Sequence, residues 1–217
     1  MGFTLREDLF FCVSNQQVTL LDLRKDRYFA LPPGLDVAFQ RLVSQLNTDA
    51  DAPAISQLID KQILVETTVD GFIAPAPQIP SPSRSFVDGF QPPTRPWLIA
   101  EALFWQWHTA LRLRKSNLHA VISNLSSKIG LINMLSEPTE NMLSSFLISR
   151  RVMPTQEQCL RWSIAMTSFL LRHGVYANLV IGVATNPFRA HAWVQRGETI
   201  LSDRLDTVLR YTPILVV

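Results

Sequence analysis

Cysteine occurs only twice in this sequence, at Cys12 and Cys159, and neither belongs to a CxxC pair. That scarcity excludes a disulfide scaffold and a cysteine-based zinc site, and it points to a reducing compartment. Charge of one sign is scarce too. Twenty Lys and Arg stand against 18 Asp and Glu, leaving a formal net charge of +2, too small a basic excess to hold nucleic acid. His108 and His119 have no paired spacing with Cys or Asp, so no metal and no cofactor are expected. Long apolar runs are missing: the most apolar stretch, 97–111, is broken by Glu101, Gln106 and His108. It falls short of the ~20 residues a membrane span needs. Arg6, Glu7 and Asp8 stand where a signal peptide requires an apolar run, and Arg6 also breaks the myristoylation pattern. The expectation is a soluble, cytoplasmic protein.

What is present is enough hydrophobic sequence for a buried core: 47% of 217 residues. Segment 74–96, APAPQIPSPSRSFVDGFQPPTRP, holds seven of the fourteen prolines. Proline removes backbone donors and fixes extended backbone, so this segment is read as a linker between residues 1–73 and 97–217. In the first unit, Gln17–Asp22 and 27–31 read as strands joined by the polar Arg24-Lys25-Asp26. Pro33 starts a helix with Val37, Ala38, Leu42, Val43 and Leu46 on one face. Pro53 opens a second helix to Lys61 that buries Ile55, Leu58 and Ile59. Residues 63–65 and 71–74 then suggest a closing wing. Strands, helices and a wing make a small winged-helix-like domain. Its second helix, AISQLIDKQ, is a poor recognition helix for phosphates. Cys12, in FFCV, reads as buried filler in a strand.

The second unit opens with helices. Residues 98–117 carry apolar residues at helical spacing, and Trp97, Trp105 and Trp107 are expected to pack in a core or interface. Arg112, Arg114 and Lys115 fit a helix C-terminus. Residues 137–149 also read as helical. In PTQEQCLRWSIAMTSFLLRHG, Pro154, Thr155 and Gln158 signal a helix start and Gly174 its end. Leu160, Ile164, Met166, Phe169, Leu170 and Leu171 supply buried faces, and His173 caps the dipole. Cys159 thus falls in the first turn, where the positive helix end favours thiolate, the nucleophilic form.

Two strands follow. YANLVIGV leads through the loop ATNPFRA into HAWVQ, and Arg196-Gly197-Glu198 turns the chain into TILSD. A hairpin turning about Gly197 sets His191 opposite Asp203, with Cβ atoms about 5 Å apart. A carboxylate there orients the imidazole, which serves the thiol as base and then as acid. A longer turn would bring Asp206 instead. The backbone N–H of Cys159, with Gln156 or Gln158, is an oxyanion donor. Cysteine at a helix start with a His–Asp strand pair is the layout of papain-like and transglutaminase-like enzymes.

On QCLRWSIAM, NLVIGV with NPFRAHAWV, and ILSD, the chain resembles the B protein of lasso peptide biosynthesis. The Cys-to-His gap of 32 and His-to-Asp gap of 12 fit that family. The first unit, on LLDLRKDRYFALPP, resembles the recognition element of ribosomal peptide pathways, a PqqD-like winged helix. The resemblance implies an α+β chain: a PqqD-like winged-helix domain followed by a papain/transglutaminase-like cysteine protease domain. It implies capture of a precursor's leader by strand addition near Tyr28, Phe29, Ala30 and Leu31, with Leu58 of the second helix completing the groove. It also implies hydrolysis of the leader–core bond by Cys159, His191 and Asp203, and delivery of the core to an ATP-dependent macrolactam synthetase (the lasso cyclase). Two rivals share these residues: an acyltransferase of the transglutaminase type, and a non-catalytic peptide-binding module.

Overall fold

The computed structural model describes residues 2–68, 73–89, 94–129, 136–152 and 158–217. The chain divides into two compact units, Met1–Pro77 and Gln78–Val217.

In the first unit, β1 (Gly2–Leu5) precedes a meander of β2 (Leu9–Ser14), β3 (Gln17–Asp22) and β4 (Arg27–Ala30). The meander is antiparallel in the order β2-β3-β4, so β4 lies at an edge. The tight turns place Asn15, Gln16 and Asp26 at positive φ, which short polar residues tolerate best. Helix α1 (Pro33–Val43), a 3-10 turn (Asp49–Asp51) and α2 (Ala52–Asp60) follow. Proline sits in the first turn of both helices, where its missing N–H costs nothing. Buried Asp36 ties α1 to the sheet: its carboxylate accepts from the Val18 N–H at 3.2 Å and the Gln40 amide at 2.7 Å.

Strand β5 (Leu64–Thr67) pairs with β1, Leu5 facing Leu64. The expected wing is therefore closed by the chain's first strand; of the expected partner 71–74, Gly71 and Phe72 lie outside the described residues. The α1 face also differs from expectation. Leu35, Ala38 and Phe39 point inward, while Val37 is half exposed and Leu46 lies beyond the helix in solvent. Residues 35, 38, 39 and 42 follow the 3.6-residue period; 37 falls off that stripe. Phe11 meets Phe39 edge-to-face at 5.1 Å in a core that includes Leu20, Leu31 and Leu58. Leu58 is fully buried and Leu31 nearly so, so neither has surface to offer a peptide in this conformation. Tyr28 and Phe29 are half-buried on edge strand β4, and Ala30 is exposed.

The second unit comprises β6 (Arg84–Ser85), α3 (Pro96–Lys115), α4 (Leu118–Ile129), α5 (Glu140–Val152), α6 (Cys159–Arg172), β7 (Asn178–Thr185), β8 (Phe188–Arg196), β9 (Thr199–Ile200), α7 (Leu205–Val208) and β10 (Thr212–Val216). The sheet runs β10-β7-β8-β9-β6, antiparallel except for the parallel pair β6–β9. Helices α3, α5 and α6 bury Leu98, Ala102, Leu143, Phe146, Ala165, Met166 and Phe169 in one core with Val194 of β8. Segment 74–96 is not a free linker along its length. The Ser83 and Phe86 N–H groups donate to Glu198 and Ile200 carbonyls at 3.0 and 2.9 Å, so this part edges the second sheet. Its prolines flank the paired residues instead of interrupting them, which is where an edge tolerates proline.

Trp105 packs half-buried against the core, but Trp97 and Trp107 are half exposed, contrary to the expected packing of all three. The buried stripe of α3 is Leu98, Ala102, Gln106 and Thr109. Positions 97 and 107 lie off it.

Candidate active site

Helix α6 begins at Cys159, with Gln158 as its N-cap residue. The first N–H groups of a helix have no intrahelical acceptor, so the thiol sits among unpaired donors at the positive helix end. Pro154 and Thr155, expected to mark this start, and Gln156, an expected oxyanion donor, lie outside the described residues. Gly174 at φ +70° follows the helix, and the C-cap His173 pairs with Glu101 at 3.1 Å.

Strand β8 presents His191. Its Nε2–H donates to Asp203 Oδ2 at 2.7 Å, which leaves Nδ1 for the hydrogen bond with Cys159. The ring and the carboxylate are both largely shielded, with side-chain exposures of 15% and 21%. Asp203 reaches His191 by a different route from the expected cross-strand pair. The register pairs Gln195 with Ile200 and Arg196 with Thr199, so the hairpin is centred between 197 and 198, and β9 stops at Ile200. Asp203 stands in the bend beyond β9. The bend is fixed by the Val194 N–H donating to Ser202 Oγ at 2.8 Å and by Ser85 Oγ donating to the Asp203 carbonyl at 2.6 Å. Asp206 lies exposed at the start of α7, beside Arg204 and Thr207, and away from this pair. The expected loop ATNPFRA is also shorter: Thr185 pairs with Phe188 around a two-residue turn, Asn186–Pro187, whose peptide bond is cis.

Two buried contacts brace β8, one from α6 and one from β7. Ser163, one turn into α6, donates to the Ala192 carbonyl at 3.0 Å. Gly182 of β7 faces His191 across the ladder, and Trp193 lies over it: a Cβ at 182 would sit 2.8 Å from the indole. Tyr211 stacks on His191 at 5.1 Å. None of these supports was read in the sequence. The signal for two of them was there: Gly182 inside an apolar strand marks close approach, and a tryptophan two residues after His191 shares its face.

The electrostatics follow from this packing. Burial alone would raise the Cys159 thiol. The hydrogen bond and charge of His191, then the N–H groups of Ala192 and Leu160, outweigh it and hold the group below its ordinary value. Burial likewise disfavours imidazolium, yet hydrogen bonds to Asp203 and Cys159 lift His191 to about 9. Burial would raise Asp203 too, but His191, the Arg204 N–H and Arg150 hold it low. Both shifts favour the thiolate–imidazolium pair over the thiol and neutral imidazole, which puts a nucleophile in contact with its proton donor. Gln158 is half-buried, and its side-chain carbonyl oxygen has no partner among the described residues. Among the described residues, no group of three His, Cys, Asp or Glu is arranged to hold a metal ion, and no helix is long and apolar enough to cross a membrane.

Residues 105–216 match the family model of the transglutaminase-like superfamily. The chain belongs to the transglutaminase-like superfamily. That membership suggests a cysteine-type enzyme, and the matched stretch contains Cys159, His191 and Asp203. The chain is also similar to the microcin J25-processing protein McjB of Escherichia coli, 40% identical over 48 residues. That match covers 22% of this chain and 23% of McjB. No solved structure matches the chain.

Proposed function

We propose that this protein is a leader peptidase for a ribosomally made lasso-type precursor, with Cys159, His191 and Asp203 as its catalytic residues. The carrying observation is the thiol–imidazole–carboxylate chain at the start of α6, in a protein similar to a microcin-processing protein. The Cys159 thiolate attacks the carbonyl at the leader–core junction, and the developing oxyanion is met by the Cys159 N–H with the Gln158 amide. The His191 imidazolium gives its proton to the departing core amine as the C–N bond breaks, leaving a thioester on Cys159. His191, now neutral, takes a proton from the water that attacks the thioester; the C–S bond breaks, releasing the leader acid and restoring the thiolate beside the imidazolium. Asp203 holds the ring tautomer throughout.

The first unit is the leader-capturing domain, and an extended leader adds to the β4 edge along Tyr28, Phe29 and Ala30. Leu31 and Leu58 support that edge from the core. The freed core passes to an ATP-dependent macrolactam synthetase.

The test is incubation with the precursor encoded beside this chain, read by mass spectrometry. Hydrolysed leader supports the peptidase, whereas a leader carrying an added amine supports the acyltransferase that superfamily membership also accommodates. Cys159→Ala is expected to lose cleavage while binding the precursor with unchanged Kd. Cleavage by that variant would sink the mechanism.

A further inference from the structure

Arg150 comes from α5, and its head group makes contact with both sides of the site. Its guanidinium carbon lies 4.3 Å from the centroid of the Trp162 ring. Trp162 stands one turn after Cys159 on α6, and its backbone N–H donates to the carbonyl of Gln158, the residue before the thiol, at 3.0 Å. On the other side, Arg150 Nη1 donates to the Ser202 carbonyl at 2.6 Å, immediately before Asp203. One planar cation therefore touches the helix that presents the thiol and the bend that presents the carboxylate. Stacking on a ring face while donating in plane is a combination that guanidinium geometry permits and an ammonium does not.

We propose that Arg150 is a positioning residue for the reaction proposed above: it clamps the Cys159 helix to the Asp203 bend and sets a fixed positive charge beside both groups. The charges it faces are Asp203 and Cys159, each of which opposes the burial that weakens its own ionisation. On the Asp203 side, His191 and the Arg204 N–H share the carboxylate. A cation held there favours the thiolate and carboxylate forms at once. Core packing alone explains the stacking on Trp162; it does not explain why the donor is aimed at the carbonyl preceding the acid.

The test separates charge from packing. In the full chain, the pH dependence of Cys159 alkylation by iodoacetamide is followed by peptide mass spectrometry. Arg150→Met keeps the apolar stem on Trp162 but removes the charge, and its alkylation midpoint is expected to rise by about one pH unit. Arg150→Lys keeps the charge, so its midpoint stays near that of the parent. Its loss of the planar fork lowers kcat for precursor cleavage by about tenfold with KM unchanged. A folded Arg150→Met protein with the parental midpoint overturns the proposal. Should that variant not fold, Arg150→Lys decides, and an unchanged kcat overturns it. The inference rests on the peptidase reading only for the cleavage arm. If Cys159→Ala still cleaves, that reading fails, while the alkylation midpoints still decide the role of Arg150.

Discussion

The strand around Cys12 and the helix start around Cys159 place the same thiol in two different surroundings. Cys12 is 2% exposed in β2, and burial pushes it up to about 12. Cys159 is also shielded, but an imidazole and two backbone N–H groups converge on it, and its thiol is held below its ordinary value. Burial is common to both, so burial does not distinguish them. The difference is whether the fold supplies donors and a cation to replace the lost water. In the first unit the polar contacts serve the fold: Asp36 receives the Val18 N–H, and Arg6 bridges to Asp22 at 2.8 Å. In the second unit, contacts of the same kind converge on the Cys159 thiol.

The largest test of this contrast is removal of each sulfur. Cys159→Ala is expected to lower cleavage of the precursor by at least about a thousandfold, whereas Cys12→Ala leaves kcat within about twofold of the parent and costs about 1 kcal/mol of stability from lost packing. Matched progress curves and urea melts of the two variants check both statements.

Next in size is Asp203→Asn, expected to lower kcat by about a hundredfold to ten-thousandfold. Its pH profile carries the sharper prediction. His191 is raised to about 9 by its partners, so the ion-paired state it stabilises is fully present below the ordinary histidine value of 6.5 and lost as pH rises through about 9. Cys159 and Asp203 are lowered, so their contributions are present above their ordinary values and lost as pH falls through the lowered ones. Activity is therefore bell-shaped with an alkaline limb near 9, and Asp203→Asn moves that limb downward. An unmoved limb would separate His191 from Asp203.

Gly182→Ala tests the support behind His191. The added methyl meets the fully buried Trp193 ring, which has no room to retreat, at a cost of about 1 to 3 kcal/mol by thermal unfolding. Cleavage falls with it, because Trp193 stacks beside His191 at 6.4 Å. The smallest effect expected is for Ser85→Ala, which removes the 2.6 Å bond to the Asp203 carbonyl. A loss of about threefold to tenfold in kcat would show that the proline-rich segment steadies the acid.

The hairpin, both first-unit helices and the helix starting at Cys159 were legible because proline, glycine and apolar period act locally. Asp203 was preferred over Asp206 by symmetric pairing about Gly197. Asp203 does meet His191, but the hairpin is centred half a step beyond Gly197, β9 ends after two residues, and a bend carries the carboxylate in. The joining of β6 to β9 and of β10 to β7 was not legible, because both are long-range pairings that no local signal encodes. Arg150 was hidden for the same reason: it lies 53 positions from Asp203 in the chain, and its contacts exist only once α5, α6 and the bend have packed.

The most direct measurement is alkylation of both cysteines in one native sample across a pH series, read by peptide mass spectrometry. The account predicts that Cys159 labels with a midpoint below the ordinary thiol value of 9.0, while Cys12 stays unlabelled until denaturant is added. Equal labelling of the two, or a Cys159 midpoint at the ordinary value, would contradict it.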